Sequence, residues 1–318
     1  MTAMASEDHC VGGWFGRLGG LPALAGVVAL GVTLLPLEAH AFGFDDVVAQ
    51  AKALVAKPWQ PVAAIPAWLQ YPTLDYDQYQ QIRFRPGKRL WRGDGSRFNV
   101  MFLPAGLYYT EPVTIHVVSG GVSRPFAFDK SLFTYPDKSF AQKIPSDLGY
   151  GGLVLTYPLE PNAAYNSFLV FGGASYFRAV ATGENFGLSA RGLAVDTGLA
   201  TPESFPFFRS FWLVKPAPGA DTMDVYALLD GEHASGAYRF TVHPGAPTVL
   251  DVTAVLFFRD HPARVGIAPL TSMFYYGSNT TRPPGEWRRA VHDSSGLGVE
   301  NGDGEWLWRP LINPDTVT

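Results

Sequence analysis

From Phe98 onward the chain is a succession of short apolar or alternating runs, each cut off by turn residues before a helix can form. Residues 98–103, 113–118, 153–157, 167–171, 177–180, 209–214, 223–229, 237–242 and 248–258 all read as strands. Turn signals separate them, and no run of ordinary helical length and 3.6-residue period lies between them. The pattern predicts an all-β protein built as a large antiparallel β-sandwich, and it excludes a sheet whose strands alternate with helices. The 34 glycines and 26 prolines are spread along the chain, so they punctuate turns rather than mark a disordered tract.

Helical spacing is clear in one place. Val47, Val48, Ala51, Leu54 and Val55 recur on one face, Asp45 and Asp46 suit a first turn, and Lys57-Pro58 stops the run, so a helix is predicted over 44–56. Residues 74–82 suit a short helical turn. Nothing repeats internally and no linker stands out, so residues 42–318 are expected to form one β-sandwich domain.

The N-terminus reads as an export signal over 1–41. Arg17 precedes an apolar stretch broken by Gly and Pro, and Ala39-His40-Ala41 is an A-x-A cleavage pattern before Phe42. Cleavage there removes Cys10, the only cysteine, and leaves a protein without disulfides that its core alone must hold. The expected location is the periplasm. Net charge is −4 with no basic run, which excludes nucleic acid as a partner on electrostatic grounds.

Several catalytic patterns are missing. There is no G-x-S-x-G, and Ser189 reads as a turn serine. His233, His243, His261 and His292 lack metal-ligand spacing, and Asn301-Gly302-Asp303-Gly304-Glu305 reads as a turn more than a calcium loop. No metal and no cofactor are expected. Asp196, in an apolar setting, is read either as a buried carboxylate paired with Arg191 or as a catalytic acid. The strongest candidate is Asp293, in His292-Asp293-Ser294-Ser295, against the alternative of an Asx turn. A few residues later Glu305-Trp306-Leu307-Trp308-Arg309 combines a carboxylate with two tryptophans on one strand face. Carboxylates move protons and ring faces pack against the C–H face of a sugar, so these residues suit a carbohydrate site. A core role is the alternative for the tryptophans.

Long stretches resemble the periplasmic glucan biosynthesis proteins G and D. They include residues 77–86, Leu90-Trp91-Arg92-Gly93, 168–179, 187–197, Tyr238-Arg239-Phe240, 266–274, His292-Asp293-Ser294 and 304–310. The resemblance implies a sandwich like the galactose-mutarotase superfold followed by an immunoglobulin-like domain. It implies action on β-1,2-linked glucan by an inverting hydrolase or transglycosylase, with Asp293 as general base. His292, Ser294, Glu305, Trp306, Trp308, Arg309 and Tyr275 are then expected to contact substrate. Family members run longer, so the general acid, the closing strands and the second domain are expected to lie beyond Thr318. Ser295 stands where Asp or Asn is expected. Expected partners are a β-glucan oligo- or polysaccharide and the pathway's inner-membrane glucosyltransferase. The other reading is a non-catalytic glucan-binding or scaffolding protein of the same pathway.

Overall fold

Which face of each strand turns inward is decided by alternation of side chains, and two packed sheets follow from it. The computed structural model describes residues 40–160 and 164–313. The predicted export signal lies outside them except for His40 and Ala41. From His40 onward the chain forms one compact unit.

The α-helices are α1 (Phe44–Val55), α2 (Tyr76–Gln80) and α3 (Lys138–Lys143). The strands begin with β1 (Arg83–Phe84), β2 (Asn99–Pro104), β3 (Thr114–Ser119), β4 (Val122–Pro125), β5 (Phe133–Thr134) and β6 (Tyr150–Tyr157). There follow β7 (Asn166–Gly172), β8 (Tyr176–Ala179), β9 (Ser189–Arg191), β10 (Leu193–Val195), β11 (Phe207–Val214), β12 (Met223–Asp230) and β13 (Ala234–His243). The last are β14 (Val249–Phe258), β15 (Val265–Ile267), β16 (Leu270–Thr271), β17 (Phe274–Tyr276), β18 (Val291–His292), β19 (Gly296–Glu300) and β20 (Trp306–Pro310).

Two six-stranded sheets carry the fold. The first has the order β16-β9-β8-β7-β6-β2 and the second β14-β13-β12-β11-β3-β4. Among the described residues the strand pairings within these two sheets are antiparallel but for one, so the predicted all-β sandwich is the observed architecture. The exception is β3 with β11, which pair in parallel from Thr114↔Ser210 to Val118↔Val214. A hairpin forces antiparallel pairing only on strands joined by a tight turn. Between β4 and β11 the chain builds most of the first sheet, and after that excursion either direction is open to it.

The inner faces meet in an aromatic core. Phe102, Leu153, Leu155 and Phe171 of the first sheet pack with Phe211, Leu213, Val225, Leu229 and Phe240 of the second. Phe171 is the hub: the rings of Phe177, Phe208, Phe211 and Phe240 lie 5.0–6.4 Å from its own. Truncating a ring so enclosed costs about 3–5 kcal/mol.

The outer faces of the two sheets differ. On the second, α1 buries Val47 and Ala51 against Val118, Trp212, Leu228 and Ala237. Asp46 accepts the Gly43 N–H at 2.7 Å and so closes the helix start. At the other end Arg259 donates to Leu54 O and Lys57 O at 2.9 and 3.0 Å, and it pairs with the buried Asp230 at 2.9 Å. Arg209 reaches the same carboxylate at 3.1 Å. Among the described residues no helix covers the outer face of the first sheet, and the candidate site adjoins that face.

Candidate functional site

Asp293 follows directly on β18, whose His292 pairs with Phe274 of β17 and stacks on it with ring centroids 5.5 Å apart. Three contacts to the segment between β16 and β17 set its position. Asp293 N donates to Met273 O at 2.8 Å, Met273 N donates to Asp293 Oδ2 at 3.3 Å, and the Ser294 and Ser272 hydroxyls are bonded at 2.6 Å. The residue is exposed, and Oδ1 has no hydrogen-bond partner among the described residues. A carboxylate held by one oxygen and open at the other is equipped to take a proton from water or a hydroxyl.

On its other side Asp293 adjoins Gly187, in the loop between β8 and β9; a Cβ on Gly187 would stand 3.9 Å from the Asp293 carbonyl oxygen. The same loop carries Phe186, whose ring lies under the Arg178 guanidinium at 5.5 Å. Arg178 and Ser189, with Tyr109, Val170, Gly172 and Tyr176, line a groove of about 210 Å³. Alternation turns Leu169 and Phe171 into the core, so Val170 and Gly172 form the floor. The floor is packed closely there: a Cβ on Gly172 would meet Leu103 Cδ1 at 2.8 Å and the Tyr109 ring at 3.3 Å, so the leucine would have to shift. One wall is braced from behind. Arg191 is buried, bonded to Glu203, and lies against the rings of Tyr176 and Phe205 at 5.6 and 4.7 Å.

The expected pairing of Arg191 with Asp196 does not form. Asp196 has a left-handed φ of 55°, which turns the chain. Its Oδ1 then accepts the Arg264 N–H at 2.8 Å, leaving Arg191 to Glu203. Burial alone would raise the Glu203 carboxyl; its bonds to Thr197 and Arg191 outweigh that and hold it below the ordinary carboxylate value.

Glu305, Trp306, Trp308 and Arg309 belong to the β19–β20 hairpin, paired from Gly296↔Pro310 to Glu300↔Trp306. Trp306 and Trp308 share one face, as the period-two spacing predicts, and are 71% and 62% exposed, so neither is a core residue here. Trp308 lies over Gly296, where a Cβ would come 2.6 Å from the indole. Arg309 lies on the opposite face. Glu305 is at the hairpin tip, where Oε2 accepts from Asn301 Nδ2 at 2.9 Å and its N–H donates to Asn301 Oδ1 at 2.9 Å. Asp293 precedes the hairpin base and Glu305 sits at its tip, so a β19 arm of 5 residues, roughly 15 Å at about 3.4 Å per residue, lies between their segments. Tyr275 is 54% exposed beside the buried Tyr276, and its carbonyl accepts from Asn313.

The structure thus brings His292, Asp293 and Ser294 together, places Tyr275 on the neighbouring strand, and sets Glu305 at the far end of the hairpin. Among the described residues no group of three or more His, Cys, Asp or Glu side chains is gathered as metal ligands would be. Sequence reasoning missed Tyr109, Tyr176 and Arg178. Their signal was the glycines inside strands, Gly151, Gly152 and Gly172, which mark a close approach to a sheet face.

A family described as "Periplasmic glucan biosynthesis protein, MdoG" matches residues 42–318. Glucans biosynthesis protein G of Ralstonia nicotianae is 45% identical over 90% of this chain and 57% of its own length. Glucans biosynthesis protein D 1 of the same organism is 44% identical over 92% of this chain and 58% of its own. The protein G of Dickeya dadantii is 40% identical over 90% and 55%. The chain therefore spans little more than half the length of the curated relatives it matches. With its whole length from Phe42 onward matched, the chain belongs to the MdoG family of periplasmic glucan biosynthesis proteins.

Proposed function

We propose that this chain is the glucan-handling part of a periplasmic protein that acts on β-1,2-linked glucan with inversion at the anomeric carbon, as a hydrolase or a transglycosylase. The observation that carries the reading is Asp293, an exposed carboxylate tethered through Oδ2 with Oδ1 open, beside the sheet groove and before the tryptophan hairpin.

Asp293 is the general base. Oδ1 takes the proton of a water or sugar hydroxyl as its oxygen attacks the anomeric carbon. The bond to the leaving oxygen breaks on the opposite face, and a second carboxylic acid delivers a proton to it. In an inverting enzyme the two carboxyl groups stand about 6.5–9.5 Å apart. Glu305 is further away and bonded into its turn, so the acid is proposed to come from the polypeptide that the relatives carry beyond the matched part. Trp306 and Trp308 offer ring faces for sugar stacking, while His292 and Ser294 hold Asp293 in place. Export to the periplasm is proposed from the family description and the Ala39-His40-Ala41 pattern. The pathway's inner-membrane glucosyltransferase is the proposed source of the glucan.

The second reading is glucan binding without cleavage, and the position of Glu305 favours it for the chain by itself. Titration of the purified chain with linear β-1,2-glucan, while new reducing ends are followed, tests both. Saturable binding without cleavage leaves the chain a binding part that needs an acid from elsewhere. Cleavage shows an acid within it, and the distance argument against Glu305 then fails. Absence of binding sinks both readings.

A further inference from the structure

Tyr71 and Tyr108 are 58% and 69% exposed, and their ring centroids stand 5.3 Å apart at a tilt of 36°. Their backbones are locked together: Tyr71 N donates to Leu107 O at 3.2 Å and Leu107 N to Leu69 O at 2.7 Å. Neighbouring exposed rings on a fixed backbone form a ready apolar platform, which water solvates poorly and which carbohydrate C–H faces match.

The platform connects with the groove. Tyr109, the residue after Tyr108, lines the groove, and it also lines a smaller cleft with Tyr108, Glu111, Gly151 and Gly173. The two concavities share Tyr109 as a wall, and the smaller one also reaches Phe207 and Phe208 of β11. From Ser189 on β9 to Gly151 on β6 the track crosses three strand spacings, roughly 15 Å at about 4.8 Å each. Asp293 extends it past Gly187 at one end, and Tyr108 and Tyr71 extend it past Tyr109 at the other. Rings at intervals, with Arg178 and Glu111 between them, suit a linear chain of hydroxyl-bearing rings.

Building on the glucan reading above, we propose that Tyr71 and Tyr108 form a remote sugar platform for the far end of a linear β-glucan whose other part lies against Asp293. The protein thereby prefers long chains to short ones.

The test is the length dependence of binding. The full chain and its Tyr71→Ala/Tyr108→Ala variant are titrated with short and long linear β-1,2-gluco-oligosaccharides. Loss of two stacking contacts should weaken long-chain binding by about tenfold and leave short-chain binding unchanged. Tyr71→Phe/Tyr108→Phe keeps the ring faces and should restore long-chain affinity. Unchanged long-chain affinity in the alanine variant overturns the platform, and so does an equal loss at both lengths, which reports a structural effect. If the unsubstituted chain binds no β-1,2-glucan of any length, the glucan reading itself has failed.

Discussion

Asp293 combines one tethered carboxylate oxygen with one open oxygen, which is what its proposed role as general base requires. Asparagine keeps the shape and the contact with Met273 N–H but cannot accept a proton. In this chain joined to the further polypeptide of its relatives, Asp293→Asn should lower turnover at least about 10²-fold. Glucan affinity should not change, and parallel activity and binding measurements will separate the two effects. Retained turnover would remove Asp293 from the mechanism. A second residue-scale prediction concerns Glu203, whose folded-state value lies below the ordinary 4.5. The stability it adds is present above pH 4.5 and is lost as pH falls through the lower folded value. Glu203→Gln should therefore flatten the acid limb of thermal stability against pH. The grouping of His292, Asp293 and Ser294 was readable in the sequence because consecutive residues are also structural neighbours. Tyr176, Arg178 and Ser189 were not, because only strand register brings them to one face.

Elements were readable in proportion to how local their causes are. The helix at 44–56 and the strands carry their own periodicity, and α1 and the principal strands lie where it falls. The hairpin face of Trp306 and Trp308 followed from spacing alone. The parallel β3–β11 pair and the anchoring of α1 did not, since both depend on residues far apart in sequence. Arg259 is the clearest case, joining the end of α1 to Asp230. Arg259→Ala would leave the buried Asp230 to Arg209 alone and uncap the helix. It should cost about 3–5 kcal/mol in denaturant unfolding. In the hairpin, Trp308→Ala removes a ring that is 62% exposed. It should shift tryptophan fluorescence and weaken glucan binding while the melting temperature stays nearly constant. Unaltered binding would mean that Trp308 does not contact the sugar.

At the scale of the whole molecule the sandwich is asymmetric. Its β2 side is closed by the loop after β4, with Phe126 stacked on Phe102 at 5.1 Å and Phe128 edge-on to Tyr150 at 5.3 Å. The opposite side is open. There β14 and β16 are the edge strands of the two sheets, and Val252, Phe258, Val265, Ile267, Leu270 and Met273 are each between 39% and 68% exposed. An edge strand with unpaired backbone groups and apolar side chains is a template for another strand. The asymmetry also explains the position of Asp293, because the chain leaves β16 at this open side and builds β17–β20 there. The chain by itself should therefore associate as its concentration rises. Val252 and Ile267 are 46% and 68% exposed, and lysines there place charge on the open side, so they should return the protein to monomer in sedimentation velocity. Glucan binding should persist in that variant, because the groove lies on the outer face of the first sheet and away from β14. If the lysine variant still associates, the contact lies elsewhere, and the tryptophan hairpin is the next apolar surface to test.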